Sequence, residues 1–201
     1  PALCIDQLPF ILQSRQMTGQ FSMHITSSLV VGLIAAFPYV FWEIWKFISP
    51  GLYAKERNAA RGAVFFVSLL FFLGASFGYF ILSPLSINFL SNYQLDPSIA
   101  NEFDITSYVS TLVMLVLASA VMFQLPVVIY FLTQAGLVSS AMLKAYRRHS
   151  IVVILVLSAL ITPPDVISQI LIAMPILVLY ETGIIIAKRL EKKRREEEDE
   201  L

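Results

Sequence analysis

The chain has 201 residues, of which 57% are hydrophobic and only 14% charged, against about 25% charged in an ordinary soluble domain. Its mean hydropathy is +0.75, and 14 Lys and Arg balance 14 Asp and Glu. A soluble fold of this size cannot hide so much apolar surface, a disordered chain carries more charge, and a net charge of zero offers no basic field to nucleic acid. The composition is that of a protein solvated by a lipid bilayer. The single cysteine, Cys4, cannot close an intrachain disulfide, and no Cys/His cluster has metal-ligand spacing. No phosphate-binding loop, dinucleotide fingerprint or H-E-x-x-H is present, so no enzymatic constellation and no cofactor is expected.

A helix needs about 20 residues to cross about 30 Å of hydrocarbon. The first apolar stretch runs from Ile25 to Phe41, with Tyr39, Trp42 and Trp45 as an expected aromatic belt at its end. The second, Gly62 to Leu82, contains no charge. The third, Ile105 to Ala135, exceeds one span, and Pro126 is expected to kink it. The fourth, Ser150 to Ile161, is short. It extends back through Tyr146 to His149, or the bilayer thins there, or Ser150 to Ala187 is a re-entrant hairpin. The fifth, Val166 to Ala187, carries one carboxylate, Glu181. The expected fold class is therefore all-α, a polytopic membrane helix bundle with five spans.

Charge orients the spans. Lys46, Lys55, Arg57 and Arg61 follow the first span, Lys144, Arg147 and Arg148 the third, and Lys188, Arg189, Lys192, Lys193, Arg194 and Arg195 the fifth. In a five-span alternation all three groups share one side, while Arg15, Asp6, Asp96, Glu102, Asp104 and Asp165 fall on the other. The positive-inside rule places the basic side in the cytoplasm. Pro1 then lies outside, and an upstream span is expected. The charged run from Glu191 to Leu201 reads as a solvated, fraying helix end.

Polar groups at membrane depth are the first functional candidates, because each is costly there. Gln124 lies deep in the third span. Its amide suits an interhelical hydrogen bond or a contact with an incoming helix. Glu181, about 10 Å along a helix from Lys188, is either a hydrated interfacial carboxylate or a functional one. Thr162, Pro163, Pro164 and Asp165 form a capping pattern, and Gln169 shares the helix face of Asp165. A transporter path for a small solute or ion through Gln124, Glu181 and Asp165 is the alternative these residues permit, although no internal repeat supports it. In the loop from Phe47 to Arg57, Pro50 and Gly51 break the helix, while Leu52 and Tyr53 keep the chain near the interface. Glu56 either pairs with Lys55, Arg57 or Arg61, or offers its carboxylate to a cationic peptide, where a planar guanidinium binds best.

Several of these stretches, in this order, resemble the TatC family, the multi-span receptor subunit of the twin-arginine protein translocase. They are Phe37-Pro38, Trp45 to Tyr53 with Lys55-Glu56-Arg57, Phe72-Leu73-Gly74, Gly78-Tyr79-Phe80, Ser107-Tyr108, Phe123-Gln124-Leu125-Pro126, and Leu160 to Gln169. The resemblance covers the chain from about Pro38 onward. It implies a cup-shaped bundle of six spans with both termini in the cytoplasm of the bacterial inner membrane rather than a thylakoid, the first span lying upstream of Pro1. Residues 1–201 then form one transmembrane domain. Its parts are an external loop at 1–23, a span at 24–48, a cytoplasmic loop at 49–61, a span at 62–82 and an external loop at 83–104. A span at 105–136, a cytoplasmic loop at 137–149, short spans at 150–162 and 166–187 flanking an external turn at 163–165, and a cytoplasmic tail at 188–201 complete it.

The resemblance also implies function: recognition of the twin-arginine signal peptide of folded precursors, and export driven by the proton-motive force. Glu56 matches the acidic residue that receives the arginine pair, Phe47 an aromatic residue of the same site, and Tyr53 and Arg57 flank them. Asp165 and Gln169 match polar residues of the last external loop and final helix. Gln124 stands where many relatives have Glu, which leaves it a hydrogen-bonding role without ionisation. The implied partners are the single-span subunits TatA and TatB, the signal peptide, the lipid bilayer and further copies of the chain, with no nucleic acid.

Overall fold

The computed structural model describes residues 11–48, 60–96, 101–161 and 166–199. Glu56, Tyr53, Arg57 and Asp165, together with Cys4, lie outside them. The chain divides into two compact units, Pro1–Ala120 and Val121–Leu201. Both are helical, as lipid demands: with no water to accept backbone hydrogen bonds, a spanning segment must satisfy them internally. Among the described residues, four helical runs are long and apolar enough to cross a membrane: Gly19–Phe47, Val64–Asn92, Ile105–Gln134 and Gln169–Glu196. The protein is a polytopic membrane helix bundle.

In the first unit, α1 (Gly19–Ile48) keeps Pro38 in its interior, where the missing N–H costs one hydrogen bond but not the helix. Phe37, beside that proline, stacks flat on Phe71 of α2 (Ala60–Phe77), with ring centroids 3.5 Å apart and planes 4° apart. Ile34 and Phe37 cover a cluster of Phe71, Ala75, Val116 and Ala120. Trp45 departs from the expected aromatic belt. It is buried and stacks on Phe41 at 6.5 Å, whereas Tyr39 stays exposed.

The second helix does not end at Leu82. A π-helical turn, Gly78–Leu82, leads into α3 (Ser83–Asn92), so the segment assigned to the external loop at 83–104 begins as helix. Gly78 is the reason. A Cβ there would stand 2.8 Å from Val116 Cα, 2.9 Å from Leu115 O and 3.1 Å from Ser119 Cβ of α4 (Ile105–Met122), so the two backbones touch. The widened turn brings both the N–H and the hydroxyl of Ser83 onto Gly78 O, the hydroxyl at 2.8 Å.

A two-stranded parallel sheet clasps this unit. Strand β1 (Ile11–Gln13) pairs with β2 (Glu102–Asp104), Ile11 opposite Glu102 and Gln13 opposite Asp104. Arg15, which the sequence left without a role, belongs here. Its N–H donates to Asp104 Oδ1 at 3.1 Å, and its guanidinium lies 4.0 Å from Glu102. The Thr106 hydroxyl donates to the other Asp104 oxygen. These bonds, Thr106 first and the Arg15 N–H second, hold the Asp104 carboxyl below its usual range. A lowered folded pKa means that the unfolded chain takes up the proton first. The clasp's contribution is therefore complete above the ordinary carboxylate value and is lost as pH falls through the folded pKa. Hydrogen exchange at the β1 and β2 amides is expected to accelerate on acidification, and Asp104→Asn is expected to flatten that dependence.

The second unit is built on α5 (Leu125–Gln134) and α8 (Val166–Asp199). Ile172, Ala173, Ile176, Tyr180, Ile184 and Ala187 form the buried stripe of α8. Gly183 beside it receives Ile129 of α5, whose Cδ1 lies 2.5 Å from where a Cβ would stand. Lipid provides no hydrophobic drive between helices, so this close approach through small residues is the packing device available. The third apolar stretch breaks as expected: α4 ends at Met122, and α5 starts with Pro126 in its first turn, where a missing N–H costs nothing. At its other end Gly136 takes φ +73°. The Leu137 N–H bonds Leu132 O at 2.9 Å and the Gly136 N–H bonds Thr133 O at 3.0 Å, a Schellman cap.

Helix α6 (Ser140–Ala145) follows, capped by the Ser139 hydroxyl, which accepts from the Met142 N–H at 3.1 Å. Helix α7 (Arg147–Ile161) starts three residues before the expected Ser150. Its 15 residues rise about 22 Å, short of a full hydrocarbon core.

Candidate functional site

Four of the predicted site residues, Phe47, Gln124, Gln169 and Glu181, are described. The first is Phe47, one residue from the end of α1 and 88% exposed. An aromatic ring held in the open at a helix end is available to a ligand. Lys46 behind it pairs with Glu43 at 3.3 Å, so that cation has a local partner. The companions predicted for Phe47, namely Glu56, Tyr53 and Arg57, lie outside the described residues.

The other three belong to the second unit. Gln124 starts α5, its carbonyl accepting the Val127 and Val128 N–H groups at 2.9 and 3.0 Å. Its side chain does not cap the helix, and its Oε1 is shielded from solvent. Gln169 Nε2 donates to Leu155 O at 3.0 Å. It ties α8 to α7, while Asp165, its expected companion, lies outside the described residues. Glu181 sits 2.6 Å from the Arg147 guanidinium, with both side chains about half exposed. Of the two readings open for Glu181, this geometry favours the hydrated interfacial one. At that exposure the pair contributes at most about 1 kcal/mol.

Around that pair stand contacts absent from the sequence reading. Tyr180 Oη donates to Leu143 O at 2.8 Å. Glu191 accepts both the Ser140 N–H, at 2.7 Å, and the Ser140 hydroxyl. Arg194 reaches Gln134 O at 3.4 Å. Together with Arg147–Glu181 these bonds fasten the segment from Gln134 to Arg147 onto α8. Arg147 and Glu191, read from sequence as a topogenic charge and a solvated charge, are thus structural fasteners. Among the described residues no group of His, Cys, Asp and Glu could hold a metal ion.

Known proteins resemble the chain over most of its length. The family model described as Sec-independent protein translocase protein (TatC) matches residues 5–175. The Sec-independent protein translocase protein TatC of Blattabacterium sp. subsp. Periplaneta americana is 39% identical over 183 residues, spanning 91% of this chain and 69% of its own. Its counterpart in Helicobacter pylori strain J99 is 41% identical over 173 residues, spanning 86% and 69%. A crystal structure of the twin arginine translocase receptor TatC in DDM superposes with a TM-score of 0.77 at 34% identity, covering 92% of this chain and 83% of that one.

Proposed function

The chain belongs to the TatC family of Sec-independent protein translocase proteins, and from that premise we propose that it is the receptor and scaffold of a twin-arginine translocase. The observation that carries the reading is the joint match: one family model over residues 5–175 and a receptor fold superposing over 92% of the chain. Its work is binding and transport. A folded precursor presents a signal peptide with paired arginines. Glu56 receives the guanidinium pair at the headgroup level, with Phe47 as apolar neighbour and Tyr53 and Arg57 flanking. A bidentate carboxylate–guanidinium contact is directional, which distinguishes arginine from lysine.

Gln124 and Gln169 serve the bundle as hydrogen-bonding residues, and Asp165 with Gln169 marks the entrance of the last helix. The transporter alternative through Gln124, Glu181 and Asp165 loses support because Glu181 is engaged by Arg147. The chain works in the bacterial cytoplasmic membrane with its basic loops and C-terminus inside, alongside further copies of itself and the single-span subunits TatA and TatB. The test uses the full-length protein in membranes and a photo-crosslinking signal peptide. A twin-arginine peptide is expected to crosslink and a twin-lysine peptide of equal hydrophobicity to fail. Equal crosslinking by both would overturn the receptor reading.

A further inference from the structure

Tyr146 closes α6 and opens α7, with its backbone at φ −87° and ψ 5°. The Tyr146 N–H bonds Met142 O at 3.0 Å and the Ser150 N–H bonds Tyr146 O at 2.9 Å. On α7, Arg148, Val152, Val156 and Leu160 form a ridge at four-residue spacing, Lys144 precedes it in the last turn of α6, and all five are exposed. The ridge changes character along its length, from two cations to three apolar side chains. Val152, Val156 and Leu160 suit acyl chains, while the cations above them stand at the level where headgroups begin. Tyr146, exposed and in ring contact with His149 at 5.6 Å, lies at the same level.

The neighbouring carboxylates are committed elsewhere. Glu181 holds Arg147, Glu191 holds Ser140 and Glu196 holds Lys192. Glu191 lies near enough to Lys144 to feel its charge, but its oxygens are taken by the Ser140 N–H and hydroxyl. Arg148 has no ion-pair or hydrogen-bond partner among the described residues. Two exposed cations flanking the α6–α7 junction, beside an exposed apolar ridge of α7, complement an anionic group that itself carries acyl chains. We propose that Lys144 and Arg148 bind the headgroup phosphate of an anionic phospholipid, fixing the junction of α6 and α7 at the membrane surface.

The full-length protein in mixed phosphatidylglycerol and phosphatidylcholine provides the test, with co-purified lipid counted by native mass spectrometry and no signal peptide present. The result is thereby independent of the receptor reading. Wild type is expected to retain phosphatidylglycerol preferentially. Removing both charges in Lys144→Gln/Arg148→Gln is expected to lower that preference about thirtyfold, and Arg148→Gln alone about fivefold. The charge-preserving Lys144→Arg/Arg148→Lys is expected to keep it. Arg148→Gln touches no hydrogen bond given above, so it reports on binding even if the double variant folds poorly. Undiminished preference in Arg148→Gln, or equal retention of phosphatidylcholine by wild type, overturns the proposal.

Discussion

Gly78→Val is expected to be among the most destabilising single substitutions in the first unit. Even the Cβ shared by every other residue would stand 2.8 Å from Val116 Cα and 2.9 Å from Leu115 O. Those are backbone atoms and cannot rotate away, so α4 must move or the π-helical turn must unwind. Gly78→Ala is expected to cost about 2–3 kcal/mol, in the range of overpacked cores. Gly78→Val adds two methyl groups at the same point and is expected to exceed about 4 kcal/mol. Gly183→Ala provides a graded comparison. Its Cβ meets the far end of the Ile129 side chain at 2.5 Å, and that end can rotate, so a smaller loss is expected. Gly32→Ala is the control, with nothing within 4 Å. Unfolding free energies in mixed micelles rank the four variants. A Gly78→Val protein as stable as Gly32→Ala would refute the backbone contact.

Those glycines mark where the sequence stops being informative. Long apolar runs announce membrane helices because hydrocarbon enforces both length and internal hydrogen bonding. Thus α1, α2, α4 with α5, and α8 were legible, as was the break near Pro126, whose missing N–H acts locally. Gly136 before Leu137 is a local signal of the same kind. The π-helical turn at Gly78 was not legible, because its cause is a contact with Val116, on a different helix. The β1–β2 clasp has three-residue strands without usable periodicity, so Arg15 had no visible partner. Trp45 and Tyr39 lie on one helix end, and no local pattern distinguishes the ring that is buried, Trp45, from the one left exposed, Tyr39. Glu191 sits in a run of charges that reads as solvated, and Ser140 lies 51 residues away. Lone charges disclose their partners only in three dimensions. At the candidate site the exposed ring of Phe47 sits at a span end, while the bond from Gln169 to Leu155 O joins residues 14 apart on two helices and has no sequence signature.

Glu56→Ala is expected to weaken binding of a twin-arginine signal peptide by about 10- to 100-fold, because a hydrogen bond to a charged group contributes about 1.5–3 kcal/mol. The conservative series separates charge from shape. Glu56→Gln keeps one acceptor oxygen but loses the charge, so it should fall close to Ala. Glu56→Asp keeps the charge on a shorter arm and should lie between Gln and wild type. Orientation is not disturbed by these changes, since topology follows Lys and Arg in the loops and Asp and Glu contribute little. Lys55, Arg57 and Arg61 all remain. Salt provides an independent axis. An exposed carboxylate–guanidinium contact is screened over about 8 Å at physiological ionic strength, so wild-type binding should weaken as salt rises while Glu56→Ala should respond less. Phe47→Ala should also lower affinity, but without changing the salt dependence, because the ring contributes apolar contact and no charge. Titration of a fluorescent peptide against reconstituted full-length variants measures all of this. Wild-type affinity and salt response in Glu56→Ala would remove Glu56 from the recognition site.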